Sequence, residues 1–192
     1  ETENGQWRMC MTRFHILTSE EMSDEQRALT EANQAAGGRL RGGPYWAYLY
    51  VPELMRTHMA LNDHVRDSSL DKRVRQIAIM TTVRFWNSEY PWAVQARLSH
   101  ELGVDAAIID AINNGERPRL DDSREAAAYE VASELLAEKR LSGELYAKAE
   151  KLFGLETLIH VVTCIGFYSM HSCTANAFDV VPQGDVPIPL KR

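Results

Sequence analysis

The sequence is poor in cysteine, and the three cysteines present do not form a redox pair. Cys10 lies in a polar N-terminal stretch, while Cys164 and Cys173 stand nine residues apart. On one helix that spacing places them on opposite faces, about 13 Å apart along the axis. A disulfide needs Cα atoms within about 7 Å, and no C-x-x-C occurs anywhere in the chain. Cys164 and Cys173 therefore read as small buried hydrophobes. A basic stripe is also missing: the net charge is −6, which turns the chain away from nucleic acid as a partner. A membrane span needs about 20 mostly apolar residues. The longest apolar stretch, from about Leu155 to Phe167, contains His160 and reads as a buried core helix. No N-terminal stretch reads as a secretory signal, so the expected location is cytoplasmic and no membrane partner is expected.

Strand signals are missing too, whereas helix signals recur along the whole chain. Ser23-Asp24-Glu25-Gln26 is a capping box, with Ser at the N-cap and Gln three positions on, and opens a helix to about Asn33. Gly37-Gly38 and Gly42-Gly43-Pro44 mark a connection. Pro52 suits the first turn of a helix carrying Leu54, Met55, Met59 and Leu61. Ser69 is placed to cap a helix whose apolar positions Val74, Ile77, Ala78, Thr81 and Phe85 follow the helical period. Pro91 opens the next helix, which ends at Gly103, and a short one follows from about Asp105 to Ile112. Asp122-Ser123-Arg124-Glu125 opens an Ala-rich helix to about Lys139, and Ser142 caps one to Phe153. The last helix, from about Leu155 to Ala177, is apolar nearly all round and should lie at the centre of the fold. The expected organisation is all-α: residues 1–19 an arm, partly loose, 20–183 one helical domain, and 184–192 an extended tail.

The run from Arg73 to Gln95, continuing to Gly103, resembles the core motif of the carboxymuconolactone decarboxylase/AhpD-like family. Within it Asn87-Ser88-Glu89-Tyr90-Pro91-Trp92 matches that family's turn between two helices. The flanks at Glu20 to Leu29, Gly42 to Trp46, Pro52 to Leu54, Gly166 to Met170 and Asn176 to Asp179 agree with it. The resemblance spans roughly residues 20 to 183. It implies an AhpD-like orthogonal helical bundle with an N-terminal arm, assembling as a homo-oligomer (dimer, trimer or hexamer). Its members include a decarboxylase of a lactone acid from aromatic catabolism and dithiol peroxidases that use a Cys-x-x-Cys pair with Glu and His relays.

Counting back from Gly103, the two peroxidatic cysteines fall on Ser88 and Pro91, and the relay Glu and His fall on Gln76 and Gln95. Peroxide reduction of this kind needs an acidic thiol and a resolving thiol. Serine and proline supply neither, and the two glutamines cannot titrate, although their amides still donate and accept hydrogen bonds. The motif His that decarboxylase members keep is also gone. Glu89, Tyr90 and Trp92 survive beside Trp86. Glu89 either serves acid/base chemistry or simply favours a helix N-terminus. Tyr90 and Trp92 either stack on substrate or pack in a core or interface.

The histidines offer a base with an ordinary pKa near 6.5. His58 and His64 lie six positions apart on one helix, about 120° from facing each other. His160 and His171 return to one face of the last helix but about 16 Å apart, too far to share an ion. His160 and Cys164 lie one turn apart, yet no third ligand is identifiable, so no metal site and no cofactor is expected. Arg84, like Arg75 and Arg97, could meet a substrate carboxylate or solvate a helix surface. The leading expectation is a cofactor-free lyase, decarboxylase or isomerase acting on a small cyclic or aromatic-derived acid. Glu89 with His160 or His58 would transfer protons, and Gln76, Gln95, Trp86, Tyr90, Trp92 and Arg84 would hold substrate. The alternative is a non-catalytic binding or assembly protein on the same fold, and an AhpD-type alkylhydroperoxidase comes last.

Overall fold

The computed structural model describes residues 12–35 and 43–191. Cys10, the Gly37-Gly38 pair and Gly42 fall outside them. Among the described residues every regular element is a helix: α1 (Asp24–Ala35), α2 (Tyr45–Tyr48), α3 (Pro52–Asp67), α4 (Lys72–Phe85), α5 (Glu89–Glu101), α6 (Ala106–Asn114), α7 (Ser123–Glu138), α8 (Gly143–Phe153) and α9 (Leu155–Ala177).

Local chemistry accounts for most of these boundaries. Ser23 and Gln26 form the reciprocal capping box, the Ser23 amide donating to Gln26 Oε1 at 2.9 Å and the Gln26 amide to Ser23 Oγ at 3.3 Å. Asp122 Oδ1 accepts from the amides of Arg124 and Glu125 at 2.7 and 3.0 Å. Ser142 Oγ accepts from Leu145 at 3.2 Å. The cap of α4 is not Ser69 but Asp71, whose Oδ1 accepts from Arg73 and Val74 at 2.9 and 3.1 Å. A carboxylate there also complements the helix dipole, which a serine two residues earlier cannot. α6 runs on through Asn113 and Asn114 and stops only at Gly115, where φ turns to 74°.

The centre of the fold is α4 rather than α9. Every side chain from Gln76 to Val83 is buried, because α5, α6, α7 and α9 all pack on this helix. Small side chains on α7, Ala127, Ala128 and Ala132, let it sit close to Val74 and Ala78 of α4. The buried hydroxyls of Thr81 and Thr82 return hydrogen bonds to the carbonyls of Ile77 and Ala78, both at 2.8 Å, so polar residues cost the core little. α9 is long and apolar enough to cross a membrane by composition. Its inner face, including Leu158, Val161, Ile165 and Phe167, is buried in the domain, while Leu155, Ile159 and Val162 stay exposed.

Both ends of the described chain are fastened down. In the arm, the Arg13 amide donates to Phe178 O at 3.0 Å, and Phe14 meets Tyr50 and Phe178 edge-on at 5.9 and 5.6 Å. The tail docks on α5 and α6. Asn113, buried, donates from Nδ2 to Pro189 O and accepts from the Lys191 amide, both at 2.9 Å. Asn113→Ala leaves two backbone groups of the tail unmatched and should cost about 2 kcal/mol. Urea unfolding checks the energy. Protease cleavage within residues 184–191 should quicken, and cleavage at the wild-type rate would contradict the clamp.

Candidate functional site

The two relay positions face each other. Gln76 of α4 donates from Nε2 to both the backbone O and Oε1 of Gln95 on α5, at 3.1 and 2.9 Å. Gln95 Nε2 in turn donates to the Tyr168 hydroxyl of α9 at 3.3 Å. The amides thus form a fixed polar wall between three helices, and neither glutamine can carry a charge. Ser88 is fully buried at the N-cap of α5, and its Oγ has no partner among the described residues. Pro91 is buried in the first turn.

Beside this wall stands a pair that the linear spacing did not reveal. His58 of α3 and His171 of α9 are 2% and 7% exposed, and their Nε2 atoms are 2.7 Å apart. At that distance one nitrogen donates and the other accepts, so the two neutral rings hold opposite tautomers. Aromatic rings enclose them: Phe167 stacks on His58 at 4.9 Å, Tyr48 lies 4.3 Å from it, and Tyr45 stands edge-on to both at 5.2 Å. Tyr48 meets the Thr174 hydroxyl at 2.8 Å. Burial disfavours the charged form. It lowers His58 to about 4, and together with the neighbouring His58 it lowers His171 to about 3. His58 Nδ1 is buried with no partner, a costly state for a ring nitrogen.

The other sequence-singled residues scatter. His160 does not reach this pair; its ring lies against His64 at 5.2 Å. Glu89 occupies the first turn of α5, where its charge favours the helix N-terminus. Trp92 is 0% exposed and donates from Nε1 to Ile188 O at 3.1 Å, so it is a core residue that ties down the tail. Trp86 packs edge-on to Phe85 at 5.9 Å and accepts on its backbone O from Asn176 at 2.8 Å. Arg84 donates to Asn113 O at 2.8 Å and pairs with Asn87, knitting α4 to α6. Burial pushes the Cys164 thiol up to about 12, leaving almost no thiolate at neutral pH.

Tyr90 has a different setting. Its ring fills the place where a side chain on Gly43 would begin, 2.2 Å from the ideal Cβ position, and Gly43 holds φ at 78°. Glycine is required there on both counts. Gly43, Trp46, Tyr90, Val94 and Arg97 line a cavity of about 300 Å³, closed on the far side by residues 180–183 and 185–187 of the tail. Tyr45, which touches the histidine pair, directly precedes Trp46, which lines the cavity. α2, a four-residue helix that no sequence signal announced, therefore joins cavity to pair. A larger cleft of about 1140 Å³ is lined by Asp71, Arg73, Asp105, Asp122 and Glu125 and holds none of the candidate residues. Asp71, Asp105 and Asp122 there serve as helix caps, Glu125 pairs with Arg73 at 2.6 Å, and Asp121 pairs with Arg119 at 3.4 Å.

No protein-family model and no curated protein matches the chain. Solved structures do. An uncharacterized peroxidase-related protein from Ralstonia eutropha, described as an alkylhydroperoxidase AhpD core, is 16% identical with a TM-score of 0.72, over 90% of this chain and 92% of that one. An uncharacterized peroxidase-related protein from Silicibacter sp. is 16% identical with a TM-score of 0.74, over 94% and 96%. A protein of unknown function from Agrobacterium tumefaciens is 15% identical with a TM-score of 0.65, over 72% and 97%. At such identity the likeness is one of architecture, and this chain is an all-helical protein built on the AhpD core fold.

Proposed function

We propose that this protein is a cofactor-free acid/base enzyme, a carboxymuconolactone decarboxylase-like lyase or isomerase acting on a small cyclic or aromatic-derived acid in the cytoplasm. The observation that carries this reading is the buried, neutral His58–His171 pair with its unmatched Nδ1. Desolvation disfavours the charged form of both rings, and for His171 the neighbouring His58 adds to it. A carboxylate arriving next to them would raise their pKa values toward neutrality, so the pair becomes a useful base when an acidic substrate is bound. The cavity at Trp46 and Tyr90 has the size of a small-ligand site. Gln76, Gln95 and Tyr168 supply hydrogen bonds without charge. Glu89 is retained as a second proton-transfer group.

A dithiol peroxidase reading has no support in the residues, since the chain contains no C-x-x-C. A binding or assembly role draws on the exposed stripe of Leu155, Ile159 and Val162 on α9. In the enzyme reading the same stripe is the surface through which copies of the chain associate.

The test is a thermal-shift screen with benzoate, muconate and small lactone acids, followed by turnover of any that bind. On a substrate so found, His58→Asn and His171→Asn should each lower kcat about 100-fold, with circular dichroism unchanged. Full activity in both variants would remove the assignment.

A further inference from the structure

We propose that His64 and His160 bind a divalent ion of the zinc, nickel or copper class at the seam between α3 and α9, with Glu156 as third ligand. Two imidazoles that each give one nitrogen to a tetrahedral ion, at about 2.0–2.1 Å, have ring centres about 5 Å apart. The His64 and His160 ring centres are 5.2 Å apart and tilted by 40°. Glu156 lies one turn before His160 on α9, its Oε1 4.0 Å from His160 Nε2. Its side chain is 87% exposed, so the carboxylate can swing onto an ion without disturbing the core. Imidazole with a carboxylate and water suits these borderline ions.

The second histidine pair on the same seam shows what such a site is not. The Nε2 atoms of His58 and His171 are 2.7 Å apart, a hydrogen-bond separation. Two ligands on one tetrahedral ion stand about 3.3 Å apart. That pair is also packed against the rings of Tyr45, Tyr48 and Phe167 and, among the described residues, has no carboxylate of this chain beside it. The outer pair is open to solvent on the His64 side. Its ion would clamp α3 to α9 about 16 Å along the helix from His171 and would take no part in the chemistry proposed above.

Spacing along the chain pairs His160 with Cys164, but Cys164 is buried with a thiol pushed up to about 12, whereas His64, from another helix, brings its ring centre to 5.2 Å from that of His160. Among the described residues no three ligand-type groups already converge. Glu156 must therefore turn inward on binding, and the expected affinity is micromolar rather than that of a preformed structural zinc site.

Titration of the EDTA-treated, dialysed protein with zinc chloride by calorimetry tests this, with copper(II) paramagnetic resonance to count nitrogen ligands. One equivalent should bind, with two nitrogens on copper and a rise in melting temperature. His64→Ala and His160→Ala should each weaken binding at least tenfold. Glu156→Gln should weaken it about threefold to tenfold, and His100→Ala should leave it unchanged. Binding weaker than millimolar, or binding equally strong in His64→Ala, would overturn the site. Full binding by Glu156→Gln would overturn the carboxylate's part in it.

Discussion

Acidification from pH 6.5 to about 4 should strip the protein of stability at up to ~2.7 kcal/mol per pH unit, two histidines contributing ~1.4 kcal/mol each. The sign follows from burial. In the unfolded chain His58 and His171 take up protons near pH 6.5. In the folded protein they stay neutral until about 4 and about 3. Above pH 6.5 neither state is protonated, and the contribution of the pair is fully present. As pH falls below 6.5 the unfolded state gains protons that the folded state refuses, so the balance shifts toward unfolding. The loss levels off only where the folded rings themselves titrate. Ordinary carboxylates titrate near 4, so the interval from 6.5 to 5 isolates the histidines. Urea unfolding at pH 7.5, 6.5, 5.5 and 5.0 measures it. His171→Leu should roughly halve the slope even though its stability at pH 7.5 is lower. A flat profile in the wild type across that interval would mean the pair is not held neutral.

Truncating Trp92 should be the most damaging single change in the motif, for packing rather than for substrate binding. Its ring is fully buried among Met80, Val83, Ala96, Ile109 and Ile112, and its Nε1 holds the tail through Ile188 O. Trp92→Ala should cost about 3–5 kcal/mol. Trp92→Phe keeps most of the apolar volume but leaves the Ile188 carbonyl unmatched, and should cost about 1–2 kcal/mol. Both should quicken protease cleavage in residues 184–191. A Trp92→Ala protein within 1 kcal/mol of wild type in urea would show that the indole is not a core element.

Legibility in the sequence varied with the range of the interaction. Ser23, Asp122 and Ser142 announced their helices because a cap is made within three residues. Ser69 reads as the cap of α4, yet Asp71, two residues on, offers the same chemistry more strongly and takes the place. Helix α2 gave no signal: four residues, three of them aromatic, have no period to read. The resemblance names Gln76 and Gln95 as the relay positions, and the packing of α4 on α5 shows that they face each other. The resemblance does not pick out the His58–His171 pair. Its members are 113 positions apart, and helical periodicity says only which residues of one helix share a face. The same periodicity put His160 and His171 in one stripe, whereas each meets a different partner on α3. Composition likewise points to α9 as central, yet α4 is buried without a break from Gln76 to Val83, while α9 leaves Leu155, Ile159 and Val162 exposed.

The wall over Tyr90 and Trp46 that faces α5 is contributed by the tail and by no helix. Residues 180–183 and 185–187 shape it, while the fastening lies just beyond, at Ile188, Pro189 and Lys191. Val180 does both, since it lines the cavity and its amide donates to Ala175 O at 2.8 Å, but beyond it shape and anchorage fall to neighbouring stretches of chain. Gln183 and Asp185 line the cavity and are exposed, so replacing either should change the cavity's lining without touching a core contact. The tail works as an exchangeable panel, and selectivity on this scaffold can drift at positions where stability exerts little restraint.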